Sequence, residues 1–265
     1  MSAPALTAIV LAGSRASGDP VARHAGVSHK ALVPVGGRPM VARVISALRD
    51  SALISRIAVA IEDTALLKGV PEIASLIENG TVLAVESAAT PSRSASKAVA
   101  ALGGNHPVLL TTADHALLTP DMVRQFVDKA KTAEADVVAG LATRETIAGA
   151  YPETARTYLR FRDGRFSGCN LFYLATPASE RALAFWRRVE ENRKTPWRIA
   201  GAIGLGTVVL YALGALSLDS ALARLSRAMG AKGAVSLLPM AEAAIDVDKP
   251  EDLRLVERIL SSQAG

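Results

Sequence analysis

Cysteine and aromatic residues are scarce in this chain, and each shortage excludes a class of protein. The 265 residues include a single cysteine, Cys169, which excludes an internal disulfide and a zinc site built from cysteines. Phe, Trp and Tyr together make up 4% of the residues, too few to supply the stacking surfaces of a nucleic-acid-binding protein. A lone thiol suits a reducing compartment, so the composition predicts a cytoplasmic protein that binds no nucleic acid.

Two sequence signals are also missing. The opening residues, Met1 to Pro4, lack the basic stretch of a secretory signal and run directly into an apolar strand. No Gly-x-Gly-x-x-Gly fingerprint follows that strand, which argues against a dinucleotide-dependent dehydrogenase.

The chain has enough apolar residues for a full core and a mildly basic charge balance. Hydrophobic residues make up 50% of the sequence, and the formal net charge is +5. This length favours one α/β domain with an insertion over two separate domains. The basic balance suits phosphorylated substrates or an anionic membrane surface.

Apolar stretches and amphipathic stretches alternate along the first half of the chain. Strands are predicted over Thr7–Leu11, Ile57–Ile61, Val82–Val85, Val108–Thr112 and Asp136–Leu141. Helices are predicted over Met40–Asp50, Leu66–Asn79, Ser94–Leu102 and Pro120–Thr132. This alternation predicts an α/β fold, a Rossmann-like and mainly parallel sheet with helices on both faces, which binds its ligands at the carboxyl ends of the strands.

The first predicted strand ends in a loop suited to polyphosphate. Gly13 allows close approach of an anion to the backbone amides, while Arg15 and Lys30 add positive charge. An ordinary strand-to-helix turn is the alternative for the glycine alone. The candidate nucleotide-binding residues here are Leu11, Ala12, Gly13, Ser14, Arg15 and Lys30.

A second candidate lies at the end of the strand Val108–Thr112. That strand delivers Asp114 to the same edge of the sheet, where a carboxylate can hold Mg²⁺ against a phosphate. The alternative is that Asp114 caps a turn. His115 is a candidate contact to substrate, with a packing role as its alternative.

The stretch from Lys30 to Met40 resembles the signature of the MobA-like and sugar-phosphate nucleotidyltransferases, Lys-Ala-Leu-x-Pro-Val-x-Gly-x-Pro-Met. The loop departs from that signature, with Gly13-Ser14 in place of a Gly-Gly pair. Near the carboxyl end, Asp246-Val247-Asp248-Lys249-Pro250-Glu251-Asp252-Leu253 is similar to the ending of such domains.

The resemblance implies a GT-A-like, nucleotide-diphospho-sugar transferase type of fold and several site residues. Asp114 and Asp246 would share one metal ion, while Asp248 is expected to cap the last helix. Lys30, Arg15 and Asp114 would be the catalytic residues. Ser94 and Ser96 would contact the nucleotide, with helix capping as the alternative.

The acceptor is expected to bind in the segment 146–240. The stretch from Arg156 to Arg165 predicts a hairpin with an Asp-Gly turn, and its arginines suit a phosphorylated acceptor, although a solvated sheet edge would look similar. The candidate acceptor contacts are His115, Arg160 and Asn170.

The segment Ile199–Leu218 carries no charge and is long enough on hydropathy grounds to cross a bilayer. A single crossing would separate Asp246 from Asp114 and Lys30, so we expect a hydrophobic helical insertion instead. Together with the amphipathic stretch Ser220–Met229, it would form a homodimer surface or a peripheral membrane contact over residues 199–229. Such a contact would place the protein at the inner face of the membrane.

These features predict a single domain over residues 1–265, with a nucleotide-binding half near 1–145 and a closing strand and helix over 241–265. The expected reaction is Mg²⁺-dependent transfer of a nucleoside monophosphate from an NTP, CTP being favoured over GTP. The acceptor would be a phosphorylated small molecule or lipid headgroup, and pyrophosphate would leave. A glycosyltransferase that uses Asp246-Val247-Asp248, or a non-catalytic module at a membrane, is the alternative.

Overall fold

A computed structural model describes residues 6–14, 18–154, 156–192, 201 and 203–264. Ten strands occur in this part of the chain: β1 (Leu6–Leu11), β2 (Pro34–Val35), β3 (Arg38–Pro39), β4 (Ile54–Ile61), β5 (Val82–Glu86), β6 (Val108–Thr112), β7 (Val137–Thr143), β8 (Leu159–Phe161), β9 (Gly164–Leu174) and β10 (Gly233–Leu237). The main sheet of the described chain has eight strands. Seven of them follow the order β10-β7-β9-β6-β1-β4-β5, and β8 pairs with β9.

The sheet is mainly parallel, as the sequence predicts. Strand β1 pairs in parallel with β4 and β6, and β7 pairs in parallel with β10. Strand β9 is antiparallel to both of its neighbours, β6 and β7. Because β1, β4 and β6 run in the same direction, the loops that follow them open at one edge of the sheet.

The helices of the described chain cover both faces of this sheet. Their bounds are α1 (Pro20–Ala25), α2 (Met40–Asp50), α3 (Ala65–Lys68), α4 (Pro71–Glu78), α5 (Pro91–Ala101), α6 (Pro120–Thr132), α7 (Arg144–Ala150), α8 (Ser179–Glu191), α9 (Leu205–Ala212), α10 (Leu218–Met229) and α11 (Pro250–Ala264). Alternate residues of β1 point to opposite faces: Ala8 and Val10 lie in the cluster that includes α2 and α6, and Ile9 packs with α5 and α8. Burial of both faces of the sheet under helices confirms the predicted α/β fold class.

Two predicted helices differ from the observed ones. The predicted helix Leu66–Asn79 is divided into α3 and α4, because Pro71 starts a new helix at its first position. Helix α5 begins at Pro91 rather than Ser94, since Thr90 is its N-cap and accepts a hydrogen bond from the amide of Arg93.

The predicted hairpin is present, and its second strand carries an irregularity. Strands β8 and β9 are joined by a two-residue turn at Arg162 and Asp163, one residue before the predicted Asp-Gly turn, and Gly164 begins β9. The register between β7 and β9 shifts beyond Ala139, and Asn170 adopts a φ of 49°. This bulge turns the Asn170 side chain away from the regular alternation of the strand.

The uncharged segment Ile199–Leu218 is only partly described. Its described helix, α9, has eight residues, and the chain after it turns at Gly214, where φ is 67°. Leu205 and Leu213 are exposed. Among the helices that the structure describes, none is long and apolar enough to span a membrane.

Candidate active site

Strands β1 and β6 bring their loops together at the carboxyl edge of the sheet. The amide of Ala12 donates to the carbonyl of Ala60 and Leu11 accepts from Ala113, so these two residues continue the sheet and the free loop starts at Gly13. Gly13, Lys30 and Asp114 are among the residues that line a small cavity of about 20 Å³. The predicted phosphate loop, the lysine and the aspartate therefore adjoin one another.

Lys30 is the centre of an acidic cluster. Its Nζ lies 2.6 Å from Asp114 Oδ2 and 2.8 Å from Asp248 Oδ1. Burial alone would lower the pKa of Lys30, but the two carboxylates outweigh it and hold the pKa well above its ordinary value. Lys30 is thus a fixed positive charge at neutral pH.

Asp246 belongs to the same cluster and has its own partners. Arg156 forms an ion pair with one carboxylate oxygen, and Asn170 Nδ2 donates to the other at 2.9 Å. Burial opposes ionisation of Asp246, but the guanidinium and these hydrogen bonds keep its pKa below the usual range. Asp246 is therefore an ionised carboxylate held in one orientation.

A backbone contact brings the two distant parts of the chain into register. The amide of Val247 donates to the carbonyl of Asp114 at 3.1 Å. As a result, carboxylate oxygens of Asp114, Asp246 and Asp248 all lie within 4.8 Å of one another.

The structure corrects the expected role of Asp248. Its carboxylate reaches Lys30, whereas Asp252 Oδ2 accepts hydrogen bonds from the amides of Asp248 and Lys249 at the start of α11. This backward reach of an acidic residue in the first turn is the capping-box arrangement. The Asp-x-Asp spacing of Asp246 and Asp248 could have identified Asp248 as a site residue. That spacing supported only the glycosyltransferase alternative in the sequence analysis.

Glu62 is a site residue that sequence reasoning missed. Its Oε1 accepts from the amide of Ser14 at 2.8 Å, and its Oε2 lies 3.0 Å from His29 Nε2. His29 Nδ1 accepts the amide of Ala31, so the proton of the neutral ring sits on Nε2 and is donated to Glu62. Glu62 therefore ties the phosphate loop to the segment that carries Lys30. Its position directly after β4 was the available signal.

His115 is placed in the interior beside the cluster. It is 1% exposed, and neither ring nitrogen has a hydrogen-bond partner among the described residues. Burial lowers its pKa to about 4; the carboxylate of Asp246 opposes that shift and Arg156 adds to it. His115 is consequently a neutral ring at physiological pH.

The two serines of α5 have local partners in this structure. Ser94 is buried, and its hydroxyl accepts the amide of Ala88 and donates to the carbonyl of Thr90, which shapes the loop before α5. Ser96 is exposed and donates to the carbonyl of Ser92. Neither is the N-cap, which is Thr90.

The remaining expected site residues lie outside the cluster or outside the described chain. Arg160 is exposed on β8, and its amide donates to the Tyr211 hydroxyl. Arg15 lies outside the described residues. Arg156, which was grouped with the hairpin arginines, instead reaches Asp246.

The arrangement suits a hard divalent cation. Three carboxylates supply only oxygen ligands, which Mg²⁺ prefers, and all three are held in place by Lys30 and Arg156. A divalent cation at this edge would adjoin the loop at Gly13, where backbone amides and Lys30 suit phosphates. The site can therefore bring a cation and a polyphosphate together.

Comparisons with known proteins show a family and a fold to which this chain is similar. A family model, the MobA-like NTP transferase domain, matches residues 8–238. No curated protein matches the sequence significantly.

Three solved structures are similar over nearly the whole chain. A hypothetical transferase from Thermus thermophilus is 33% identical, with a TM-score of 0.77 over 93% of this chain and 98% of that one. The 4-diphosphocytidyl-2C-methyl-D-erythritol synthase from Anaerococcus prevotii DSM 20548 is 12% identical, with a TM-score of 0.59 over 97% of this chain and 98% of that one. The CMP:2-keto-3-deoxy-manno-octonic acid synthetase, solved with CTP, is 12% identical, with a TM-score of 0.56 over 97% of this chain and 99% of that one.

Proposed function

Since the chain belongs to the MobA-like NTP transferase domain family and is a nucleotidyltransferase, we propose that it transfers a nucleoside monophosphate to a phosphorylated small molecule or lipid headgroup. An oxygen of the acceptor phosphate attacks the α-phosphorus of the NTP and forms a new P–O bond. The bond between the α-phosphorus and the bridging oxygen breaks, and that oxygen leaves with pyrophosphate. The observation that carries this proposal is the cluster of three carboxylates around Lys30 beside the loop at Gly13.

We propose CTP as the donor, with GTP as the alternative. The amino-terminal loop lacks the compact Gly-Gly form of the guanylyl-transferring relatives. Two similar structures carry cytidine nucleotides in their names, and one of them was solved with CTP. Their identity of 12% supports the fold alone, so the choice of base depends on experiment.

The proposed metal ion is Mg²⁺, held by Asp114 and Asp246 with Asp248 as a further ligand. When bound, it would supply positive charge at the phosphates that react. Lys30, which pairs with two of these carboxylates, is then available to neutralise charge on the triphosphate. Arg15 is proposed for the same task.

The nucleotide is positioned by the backbone. The amides of the Gly13-Ser14 loop suit the phosphates, and the Ser14 amide donates to Glu62 Oε1. Ser94 shapes the loop at Ala88, and Ser96 is an exposed residue of α5; both remain proposed contacts to the nucleotide.

The acceptor is proposed to enter between the turn that follows α7 and the start of α11. A second cavity there, of about 430 Å³, is lined by Lys249, Arg254 and Arg258 and by the acidic Glu153, Glu251 and Asp252 among others. Lys249 directly follows Asp248, so an acceptor phosphate at this cavity would lie near the cluster. Asn170 on β9 and His115 in the loop after β6 border the cluster, and they are proposed to orient the acceptor, while Arg160 would act from the hairpin.

No protein base is required for this reaction. A phosphate acceptor is already ionised at neutral pH, so positioning and electrostatic stabilisation supply most of the rate. The neutral, buried ring of His115 agrees with a role in shape rather than in proton transfer.

The whole chain is proposed to work as one nucleotidyltransferase domain. Strands from residues 6–143 and from residues 159–237 share one sheet, which supports a nucleotide-binding half and an acceptor-binding region in continuous contact. We propose a cytoplasmic location. Contact with the inner face of a membrane, or a homodimer, would use residues 199–229, where Leu205 at the start of α9 and Leu213 just after it are exposed.

A donor screen tests this function. The protein would be incubated with each of the four NTPs, Mg²⁺ and a panel of phosphorylated acceptors, and pyrophosphate release would be measured. We expect release with CTP, and we expect Asp114→Asn to reduce it roughly a hundredfold by removing charge stabilisation. Asp128→Asn, an exposed carboxylate on α6, is the matched control and should leave the rate unchanged.

The same screen separates the alternatives. Release of a nucleoside diphosphate from a nucleotide-sugar, without pyrophosphate release from any NTP, would identify a glycosyltransferase. A nucleotide-dependent rise in melting temperature without turnover would indicate a non-catalytic module. Near-normal turnover in Asp114→Asn would contradict the metal assignment.

A further inference from the structure

A large apolar cavity lies away from the acidic cluster. It is bounded by α8, by α10 and by the face of the sheet that carries β6, β7, β9 and β10, and its volume is about 400 Å³. Leu110, Phe172, Trp186, Leu222, Leu225 and Met229 are among its lining residues, and every other lining residue is also apolar. The cavity belongs to the size range of small-molecule sites.

Helix α10 stands off from the sheet because of this cavity. Leu222, Leu225 and Met229 recur at helical spacing and face the sheet, yet no residue of the helix is fully buried. An amphipathic helix normally packs its apolar face against the core. The apolar face of α10 is therefore separated from the sheet by the cavity instead of packing directly against it.

The lining of the cavity determines what it can hold. Protein interiors close-pack their side chains, and large voids lose the contacts that neighbouring atoms would make. Cavities without polar groups do not retain water, because water needs two or more polar partners. An apolar chain is the ligand chemistry that such a lining recognises.

Arginines near the cavity indicate the chemistry of the ligand's head group. The guanidinium of Arg188 stacks over the ring of Phe185, a lining residue, at 5.5 Å, and within the described chain Arg188 has no acidic partner. Arg181 crosses from α8 to donate to the carbonyl of Gly230 at the end of α10. Phe172, which also lines the cavity, is 36% exposed, so the cavity opens to solvent. An exposed guanidinium beside an apolar opening suits an anionic head group.

We propose that this cavity is a binding site for a free single-chain anionic amphiphile, such as a long-chain fatty acid. The apolar chain lies between α8 and α10, and the anionic head contacts Arg188. The acidic cluster is at the carboxyl edge of the sheet, so this site does not depend on the proposed transfer reaction.

Titration with 11-(dansylamino)undecanoic acid tests the proposal, because the fluorescence of the dansyl group rises when it leaves water. We expect saturable enhancement with the full-length protein. Ala139→Phe and Ala234→Phe each place a ring in the cavity and should weaken binding by at least tenfold. Ala223→Phe, on the exposed side of α10, is the matched control and should bind as the original protein does.

A second arm tests the anionic head. Arg188→Gln should weaken binding of the carboxylate probe several-fold and leave binding of its methyl ester unchanged. Circular dichroism and melting temperature identify any variant that fails to fold. If either Ala139→Phe or Ala234→Phe fails to fold, the other variant still tests the proposal.

Four results would overturn the proposal. The first is the absence of saturable enhancement, and the second is equal affinity in Ala139→Phe, Ala234→Phe and Ala223→Phe. The third is enhancement that occurs only with anionic vesicles. The fourth is a dimer in light scattering that Ala139→Phe dissociates while the probe never binds. Those last outcomes would assign the cavity to a membrane or to a second copy of the chain.

Discussion

Replacing Lys30 by methionine should change metal affinity and turnover in opposite directions. Lys30 and Arg156 neutralise two charges of the three-carboxylate cluster. Without Lys30 the cluster keeps one more unit of negative charge. Two unit charges 4 Å apart interact by about 1 kcal/mol in water and about 4 kcal/mol near a protein surface, and a divalent ion doubles these values. The lower limit of about 2 kcal/mol corresponds to roughly 30-fold tighter binding of Mg²⁺.

Turnover should fall despite the tighter metal. Lys30 is proposed to neutralise charge on the triphosphate, and loss of such a group costs roughly a hundredfold or more. Without metal, the half-buried Asp114 loses a partner 2.6 Å away, so the variant should unfold at a lower temperature and recover more than the original protein when Mg²⁺ is added.

Calorimetric titration of Mg²⁺, melting temperature against Mg²⁺ concentration and pyrophosphate release would measure these effects on the same preparations. Lys68→Met, which removes the exposed lysine at the end of α3, is the control for the loss of one positive charge. Unchanged or weaker Mg²⁺ affinity in Lys30→Met would refute the reasoning, since it would mean that the metal does not bind among these carboxylates.

Three further predictions concern the cluster, the core and the thiol. Asp248→Asn should weaken Mg²⁺ binding roughly tenfold, because about 1 to 2 kcal/mol of attraction is lost, and calorimetry would detect this; an unchanged affinity would exclude Asp248 as a ligand. Phe126→Ala should lower the free energy of unfolding by about 3 to 5 kcal/mol, measured by denaturant titration, since Phe126 is fully buried; a loss below about 1 kcal/mol would contradict this packing. Burial raises the pKa of the Cys169 thiol to about 12, so a thiol reagent should label it only as fast as the protein unfolds, and stability should fall as pH rises above 9, where only the unfolded thiol ionises. Rapid labelling of the folded protein at pH 8 would show that the thiol is accessible.

Elements with local signals were predicted closely. Helices α2 and α6 have the predicted bounds, and α6 begins where Thr119 caps it and Pro120 follows. A cap and a first-turn proline act within a few residues, so the sequence pattern contains the whole interaction. The division between α3 and α4 also had a local signal in Pro71, which the periodicity of the apolar residues obscured.

Contacts between distant parts of the chain were predicted less well. The segments of Asp114 and Asp246 were expected to meet, and the structure brings them together through the hydrogen bond from Val247 to the carbonyl of Asp114. The link from Glu62 to Ser14 and His29 was not anticipated, because the pairing of β1 with β4 that creates it joins residues far apart in sequence. The assignment of Asp248 as a helix cap was wrong for a related reason: Asp252 can perform that role, and only the fold shows that Lys30 lies within reach of Asp248.

The sequence by itself determined the alternation of strands and helices, the loop at Gly13 and the carboxylates at strand ends, because hydrophobic periodicity and turn chemistry act locally. Tertiary structure alone decided which charges neutralise each other, the burial of His115 and the cavity beneath α10. Ion pairing, burial and cavity volume depend on distances between elements, and those distances follow from how the whole chain packs.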